Sequence, residues 1–226
     1  PLEEFNNLRK NGLIAINLRE GDELLKVKIT RGDADIIMIT QNGYAIKFNE
    51  KSVRPMGRTA SGVRAISLKD DDIAVCMDIA VKGEEVLVIS ENGFGKRTPI
   101  EQYKIQRRNG VGLITYKISE KTGKVVGATV CKPEDELMLI NTSGIAIRIN
   151  VSDISVTSRS AMGVTLMRTT EEEKVVAVAK IASNGEEESD EQLTLEACAD
   201  NEVIEESNDT SLDRLVEEAQ KEDIEE

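Results

Sequence analysis

Histidine and tryptophan are absent from this 226-residue chain, and aromatic residues make up only 3% of it. Without histidine, Ser-His-Asp triads, imidazole acid–base catalysis and histidine-containing zinc sites are excluded. No Walker A glycine loop occurs, so no ATP site is implied. The three cysteines, Cys76, Cys131 and Cys198, are odd in number and share no metal-ligand spacing. The first two sit in apolar strand-like stretches and read as core thiols. There is no run of 18 apolar residues, and the first residues, Pro1 to Phe5, carry neither a basic n-region nor an apolar h-region. No membrane segment is implied, and the chain reads as cytosolic. With 39% hydrophobic residues and so few aromatics, the core is expected to be built from aliphatic strands.

Charge is uneven along the chain. The formal net of -13 conceals a tail, residues 186–226, that holds 18 acidic against two basic residues, Arg214 and Lys221. The preceding body holds 24 acidic and 27 basic residues and is mildly basic. Such asymmetry points either to a nucleic-acid surface with an acidic appendage or to a solvated surface with a solubilising tail.

A period of about 50 residues organises the body. One motif, a glycine followed by a short apolar strand, recurs around Gly12, Gly62, Gly112 and Gly163, as RKNGLIAINL, RTASGVRAISL, RRNGVGLITYKI and RSAMGVTLMRT. A second recurs around Gly43, Gly93 and Gly144, as DIIMITQNGYAIKF, EVLVISENGFGKRT and ELMLINTSGIAIRI. Two motifs keeping one spacing define a tandem repeat. The stretches before the second-motif turn, Ile36–Ile39, Val86–Ile89 and Leu137–Ile140, are continuously apolar, as in a strand buried on both faces. Asn42-Gly43, Asn92-Gly93 and Ser143-Gly144 are hairpin turns. The strand after the turn is expected to alternate, with Tyr44, Ile46 and Phe48 on one side and Ala45 and Lys47 on the other. The first-motif strand and the segments Glu23–Thr30, Ile73–Ala80, Lys124–Cys131 and Lys174–Ile181 supply two more strands per unit. Four strands per repeat is the size of a propeller-type blade, so the fold class is all-β. With four first motifs against three second motifs, Pro1 is expected to fall inside a blade.

The register also orders the cations. Lys47, Arg97 and Arg148 each lie four residues after a second-motif glycine and are expected to point away from the apolar face. Arg58, Arg108 and Arg159 each lie four residues before a first-motif glycine, with Arg9 and Lys10 shifted in the first repeat. Arg54, Arg64, Lys96 and Arg107 lie close by. Residues at one register would form a cationic edge. A regular edge without stacking aromatics suits the phosphates of duplex DNA, bound without sequence preference and bent along the edge. An acidic protein partner, or an edge kept soluble by charge, uses the same residues.

The segments PLEEFNNLRKNGLIAINLREGDEL, VRPMGRTASGVRAISL, ENGFGKRTPIEQYKIQRRNGVG and VSDISVTSRSAMGVTLMRT resemble consecutive blades of the DNA gyrase A C-terminal domain. The resemblance covers residues 1–183. It implies a β-pinwheel whose strands are exchanged between blades and whose basic rim wraps duplex DNA, supporting ATP-dependent negative supercoiling. The family's box, QRRGGRG or QRRGGKG, has its nearest match in Gln106, Arg107, Arg108, Asn109, Gly110, Val111 and Gly112. This loop keeps the arginine pair but lacks the first glycine and the basic residue after the glycines of the box, and it corresponds to the same position in a later blade, with the full box expected upstream of Pro1. The C-terminal domain of the paralogous topoisomerase IV protein, which shares the fold with a degenerate box, is the alternative. The resemblance further implies partners in the rest of gyrase A and in gyrase B within a heterotetramer, a bacterial cytoplasmic setting, and ATP and magnesium in the holoenzyme but no cofactor in this piece.

No catalytic residue and no metal site are expected here. Tyr44, Tyr103 and Tyr116 fall within the repeats, and the DNA-cleaving tyrosine of such enzymes is implied to lie upstream. The runs Asp70–Asp72 and Glu171–Glu173 read as solvated turns. Residues 184–226 are expected to be a disordered acidic tail with one short helix over 211–221 that could compete with DNA for the rim.

Overall fold

The computed structural model describes residues 1–7, 10–170 and 172–181. Eleven strands lie among them: β1 (Asp35–Thr40), β2 (Tyr44–Asn49), β3 (Ala74–Ile79), β4 (Glu85–Ser90), β5 (Phe94–Pro99), β6 (Leu113–Ile114), β7 (Val125–Cys131), β8 (Glu136–Asn141), β9 (Ala146–Asn150), β10 (Val164–Thr165) and β11 (Val175–Ile181). The hairpins β1–β2, β4–β5 and β8–β9 are the three second motifs, each closed at its glycine. A 3-10 turn follows each of them, at Glu50–Ser52, Ile100–Gln102 and Val151–Asp153. The expected tail helix lies outside the described residues.

No blade is built from one repeat. The sheets run β3-β1-β2-β6, β10-β5-β4-β7 and β11-β8-β9, all antiparallel. Each hairpin therefore takes one strand from the next repeat and, for the first two, a short one from the repeat after that. The short strand docks at the hairpin glycine: Thr115 and Leu166 donate their amides to the carbonyls of Gly43 and Gly93, each at 2.8 Å. These glycines sit at φ 78° and 75°. A Cβ on either would collide with the backbone carbonyl of Tyr116 or Met167, so strand exchange and turn geometry demand the same residue.

Three expected strands do not form: Glu23–Thr30 and the first-motif strands after Gly12 and Gly62, the latter keeping a single bridge from Ile66 to Gly110. Glu23–Thr30 forms no strand, although its counterparts β3, β7 and β11 do. In the repeat register its partner would be a hairpin one period before β1–β2, and no such hairpin is among the described residues. The same deficit leaves Ile14, Leu24, Val27, Ile29 and Val63 exposed. At the other end β9 pairs, among the described residues, only with β8.

The core lies between blades. Val86 and Val88 pack toward Ile37, Ile39, Tyr103 and Tyr116, whereas Leu87 and Ile89 pack toward Leu137, Leu139, Ile154 and Met167. Strand β4 is sandwiched by neighbours on both faces, which is why its central residues Val86–Ile89 are all apolar. Cys76 and Cys131 are buried free thiols, and burial pushes the pKa of each up to about 12. The alternation expected in β2 is only partial, since Ala45 and Ile46 are both buried.

Candidate nucleic-acid interface

The cations with recurring register divide into two groups once their partners are known. Four residues after the hairpin glycine, Arg97 is only 6% exposed. Its Nη1 pairs with Glu85 at 2.7 Å, while Nε and Nη2 donate to the carbonyls of Ile154 and Ser152 in the next repeat. Lys47 makes a smaller version of this contact, donating to the Ile100 carbonyl at 3.3 Å. Arg148, with no following repeat over it among the described residues, pairs with Glu136. This register position thus pins one repeat onto the 3-10 turn of the next. Arg97 does not face outward as expected, because the neighbouring turn covers it.

Lys96 is a second correction. It has no exposed surface, and its Nζ donates to the carbonyls of Ser158 (2.6 Å) and Arg159 (2.5 Å) beneath the loop that precedes β10. Burial, and then the neighbouring Arg159 charge, lower its pKa to about 8. Lys96 and Arg97 are therefore removed from the cationic edge.

Arginines four residues before the first-motif glycines behave differently. Arg58 donates to the Ile14 carbonyl (3.2 Å), Arg108 to that of Arg64 (3.1 Å) and Arg159 to that of Ile114 (3.0 Å). Each acceptor lies two residues after the first-motif glycine of the preceding repeat, so one contact recurs at three repeat junctions. Arg108 adds two bonds from Nε and Nη2 to the Ser52 carbonyl. All three arginines remain partly exposed. Clefts open beside two of them, about 780 Å³ next to Arg58 and Thr59 and about 370 Å³ next to Ser158 and Arg159.

Around these held arginines stand exposed ones. Lys10, Arg54, Arg64 and Arg107 are all exposed, whereas Arg9 lies outside the described residues. Lys104, not singled out from the sequence, is also exposed and occupies the same register as Arg54, 50 residues on; the repeat alignment itself carried that signal. The loop Gln106–Gly112 is fixed by three backbone hydrogen bonds. Gln106 donates its amide to Lys47, Asn109 to Ala65, and Ser67 donates back to Gly110. Asn109 adopts φ 65°, a left-handed conformation asparagine tolerates better than most side chains. That is how the loop manages without the first glycine of the box. Val111, where the box has its third cation, is 38% exposed.

Such loops offer guanidinium and ammonium groups to an anionic surface and little else. Among the described residues no group of three His, Cys, Asp or Glu could hold a metal ion, and no helix is long and apolar enough to cross a membrane.

Antiparallel blades assembled by strand exchange, with an arginine-bearing loop at each junction, define a β-pinwheel of the propeller type. The chain belongs to the family described as DNA gyrase C-terminal domain, beta-propeller, whose profile matches residues 1–31, 34–75, 84–132 and 135–182. Three of these stretches begin one residue before a hairpin. Among curated relatives, the DNA gyrase A protein of Clostridium acetobutylicum is 57% identical over 184 residues, covering 81% of this chain and 22% of the relative. The DNA gyrase A protein of Staphylococcus aureus is 43% identical over 197 residues, covering 86% and 22%. The chain thus spans about a fifth of the length of these relatives. A solved DNA gyrase A C-terminal domain matches with TM-score 0.70 and 29% identity over 76% of this chain and 59% of that one. The C-terminal domain of DNA topoisomerase IV matches with TM-score 0.74 and 26% identity over 79% and 56%.

Proposed function

We propose that this chain binds duplex DNA without sequence preference and bends it along the junction loops, as the wrapping part of a gyrase A protein that supports ATP-dependent negative supercoiling. The observation that carries the reading is the threefold contact of Arg58, Arg108 and Arg159 with the preceding repeat. It sets partly exposed guanidinium groups at repeat intervals, with Arg54, Arg64, Lys104 and Arg107 exposed beside them. Regular cations that read no base edges neutralise phosphates and release counterions. Bending 20–30 base pairs costs on the order of 1–6 kcal/mol, which further phosphate contacts along the edge offset.

On this reading the chain is a non-catalytic module of residues 1–183 followed by a tail, in a bacterial cytoplasmic enzyme whose other partners are the rest of gyrase A and gyrase B. The relatives' common name supports that setting. Binding of a long duplex across a salt series tests it. Affinity should fall by about 0.9 log units per log unit of salt for each phosphate neutralised, equally for unrelated sequences. Binding to an acidic protein but not to duplex would replace this function with protein recognition.

A further inference from the structure

The three junction loops are not held in the same way. Loop Gln106–Gly112 is fixed to the preceding repeat by two backbone hydrogen bonds, Asn109 to Ala65 (2.7 Å) and Ser67 to Gly110 (2.9 Å). The corresponding loop of the first junction keeps one, Asn17 to Ala60 at 3.4 Å, with the Asn17 side chain bonding Thr59. Among the described residues, neither bond has a counterpart between Thr115–Lys117 and Ser160–Ala161 in the loop Thr157–Gly163. That loop, which carries Arg159, keeps only the counterpart of the Gln106–Lys47 bond, Thr157 to the Arg97 carbonyl at 2.8 Å, at its N-terminal end.

What lies beneath it also differs. Under loop Gln106–Gly112 sits Ile46, fully buried and packed with Ile66. The equivalents of these residues one period later are Lys96 and Tyr116. The Lys96 Nζ lies 5.7 Å from the Tyr116 ring centroid and donates to the carbonyls of Ser158 and Arg159. An apolar pair under a loop with three backbone ties is replaced by a cation and an aromatic ring under a loop that keeps one of the three, Thr157 to Arg97 at 2.8 Å. A buried Lys without such partners would be costly, so the two carbonyls and the ring face account for its presence in a position that is isoleucine at Ile46 and Ile147. Burial lowers its pKa only to about 8. At neutral pH it remains mostly charged and its bonds are charge-assisted.

We infer that Lys96 is a positioning residue for DNA binding: from inside the blade it fixes the loop Thr157–Gly163 and so sets where the Arg159 guanidinium meets the duplex. The inference rests on the DNA-binding reading for its second half only. Arg159 is otherwise held by its own bond to the Ile114 carbonyl and by its amide, which donates to Gln102. Without Lys96 the backbone around it loses both of the ammonium's contacts at once.

The test uses the whole 226-residue chain with Lys96→Ile, the residue that the neighbouring repeats accommodate here, and with Lys96→Met, which keeps the side chain unbranched. Amide exchange is measured first, without DNA. Exchange at Ser158–Met162 should speed up at least about tenfold, the equivalent of one charge-assisted hydrogen bond, with β4 and β7 still protected. Duplex binding at low salt is measured next on Lys96→Met, Arg159→Met and the double variant. The single variants should weaken binding to a similar extent, with little further loss in the double. Unchanged loop exchange in both Lys96 variants overturns the anchor, whatever DNA does. Faster exchange with undiminished duplex affinity, where Arg159→Met does weaken binding, overturns the positioning role. Failure of the wild-type chain to bind duplex defeats the DNA-binding reading and the positioning role with it, while the exchange result still decides the anchor.

Discussion

The Arg97 guanidinium and the Glu85 carboxylate meet at 2.7 Å across the β4–β5 hairpin, with side chains only 8% and 16% exposed. Because Arg97 also reaches two carbonyls of the next repeat, this ion pair belongs to the scaffold rather than to a binding edge. Truncating one partner of a buried pair costs about 3–5 kcal/mol. Arg97→Met is expected to lower stability by that order in urea unfolding, whereas exposed Arg107→Met should change it by less than about 0.5 kcal/mol. Duplex affinity should respond to Arg107→Met despite unchanged stability. Equal stability of the two variants would remove the distinction between pinning and exposed cations.

Glu23–Thr30 has no strand partner among the described residues, unlike its counterparts β3, β7 and β11. Amides of Leu24–Ile29 are therefore expected to exchange with solvent at least about a hundredfold faster than those of β7, whose hydrogen bonds are held in a complete four-stranded blade. Hydrogen exchange followed by mass spectrometry gives the comparison. Equal protection would mean that this segment finds a strand partner unlike that of its counterparts.

Asn109 holds φ 65° where the family's box has glycine. Asn109→Gly should be neutral or stabilise by a few tenths of a kcal/mol, because glycine enters this region without strain. Asn109→Val should destabilise by about 1–2 kcal/mol. At Val111, Val111→Arg adds an exposed cation and is expected to steepen the salt dependence of duplex binding by roughly one phosphate contact. An unchanged slope would place Val111 away from the DNA path.

The buried Lys96 links stability to pH. Its pKa is lowered from 10.5 to about 8 by burial first and by Arg159 second. Between those values the unfolded chain binds more protons than the folded one, so this group makes stability rise with pH. Its full contribution is on the order of 3 kcal/mol. The thiols of Cys76 and Cys131 work the same way above their ordinary value of 9.0 only in reverse, since burial raises both and the folded chain keeps the protons longer. The difference between wild type and Lys96→Met isolates the lysine. The wild type should gain on the variant from pH 8 toward 10.5, and a constant difference across that range would contradict the burial of a titrating ammonium.

The period and the paired glycines at Gly43 and Gly93 were legible because the same steric demand returns in each repeat. The apolar run Val86–Ile89 of β4 was legible as a doubly covered strand for the same reason. Strand partnership was not: spacing shows that Leu113–Ile114 is a strand, but not that it crosses to a hairpin in an earlier repeat. For that reason Glu23–Thr30 looked complete in the sequence but has no strand partner among the described residues. Likewise, Lys47, Arg97 and Arg148 share a register, yet their exposure depends on whether a following repeat lies over them. Lys96 stands at an isoleucine position, and that mismatch within the repeat was the available sign that it points inward. The register of Arg58, Arg108 and Arg159 was legible, whereas their carbonyl partners lie 44 or 45 residues earlier and are brought to them only by strand exchange.

Wrapping is tested most directly by the topology it leaves behind. Relaxed plasmid is incubated with the chain at low salt, religated by a type I topoisomerase, stripped of protein and resolved by electrophoresis. DNA bent along the junction loops should leave a linking-number distribution displaced from the protein-free control in proportion to the chain bound, with the displacement vanishing as salt rises. An unshifted distribution at saturating occupancy would show that the chain binds duplex without wrapping it and would contradict the account.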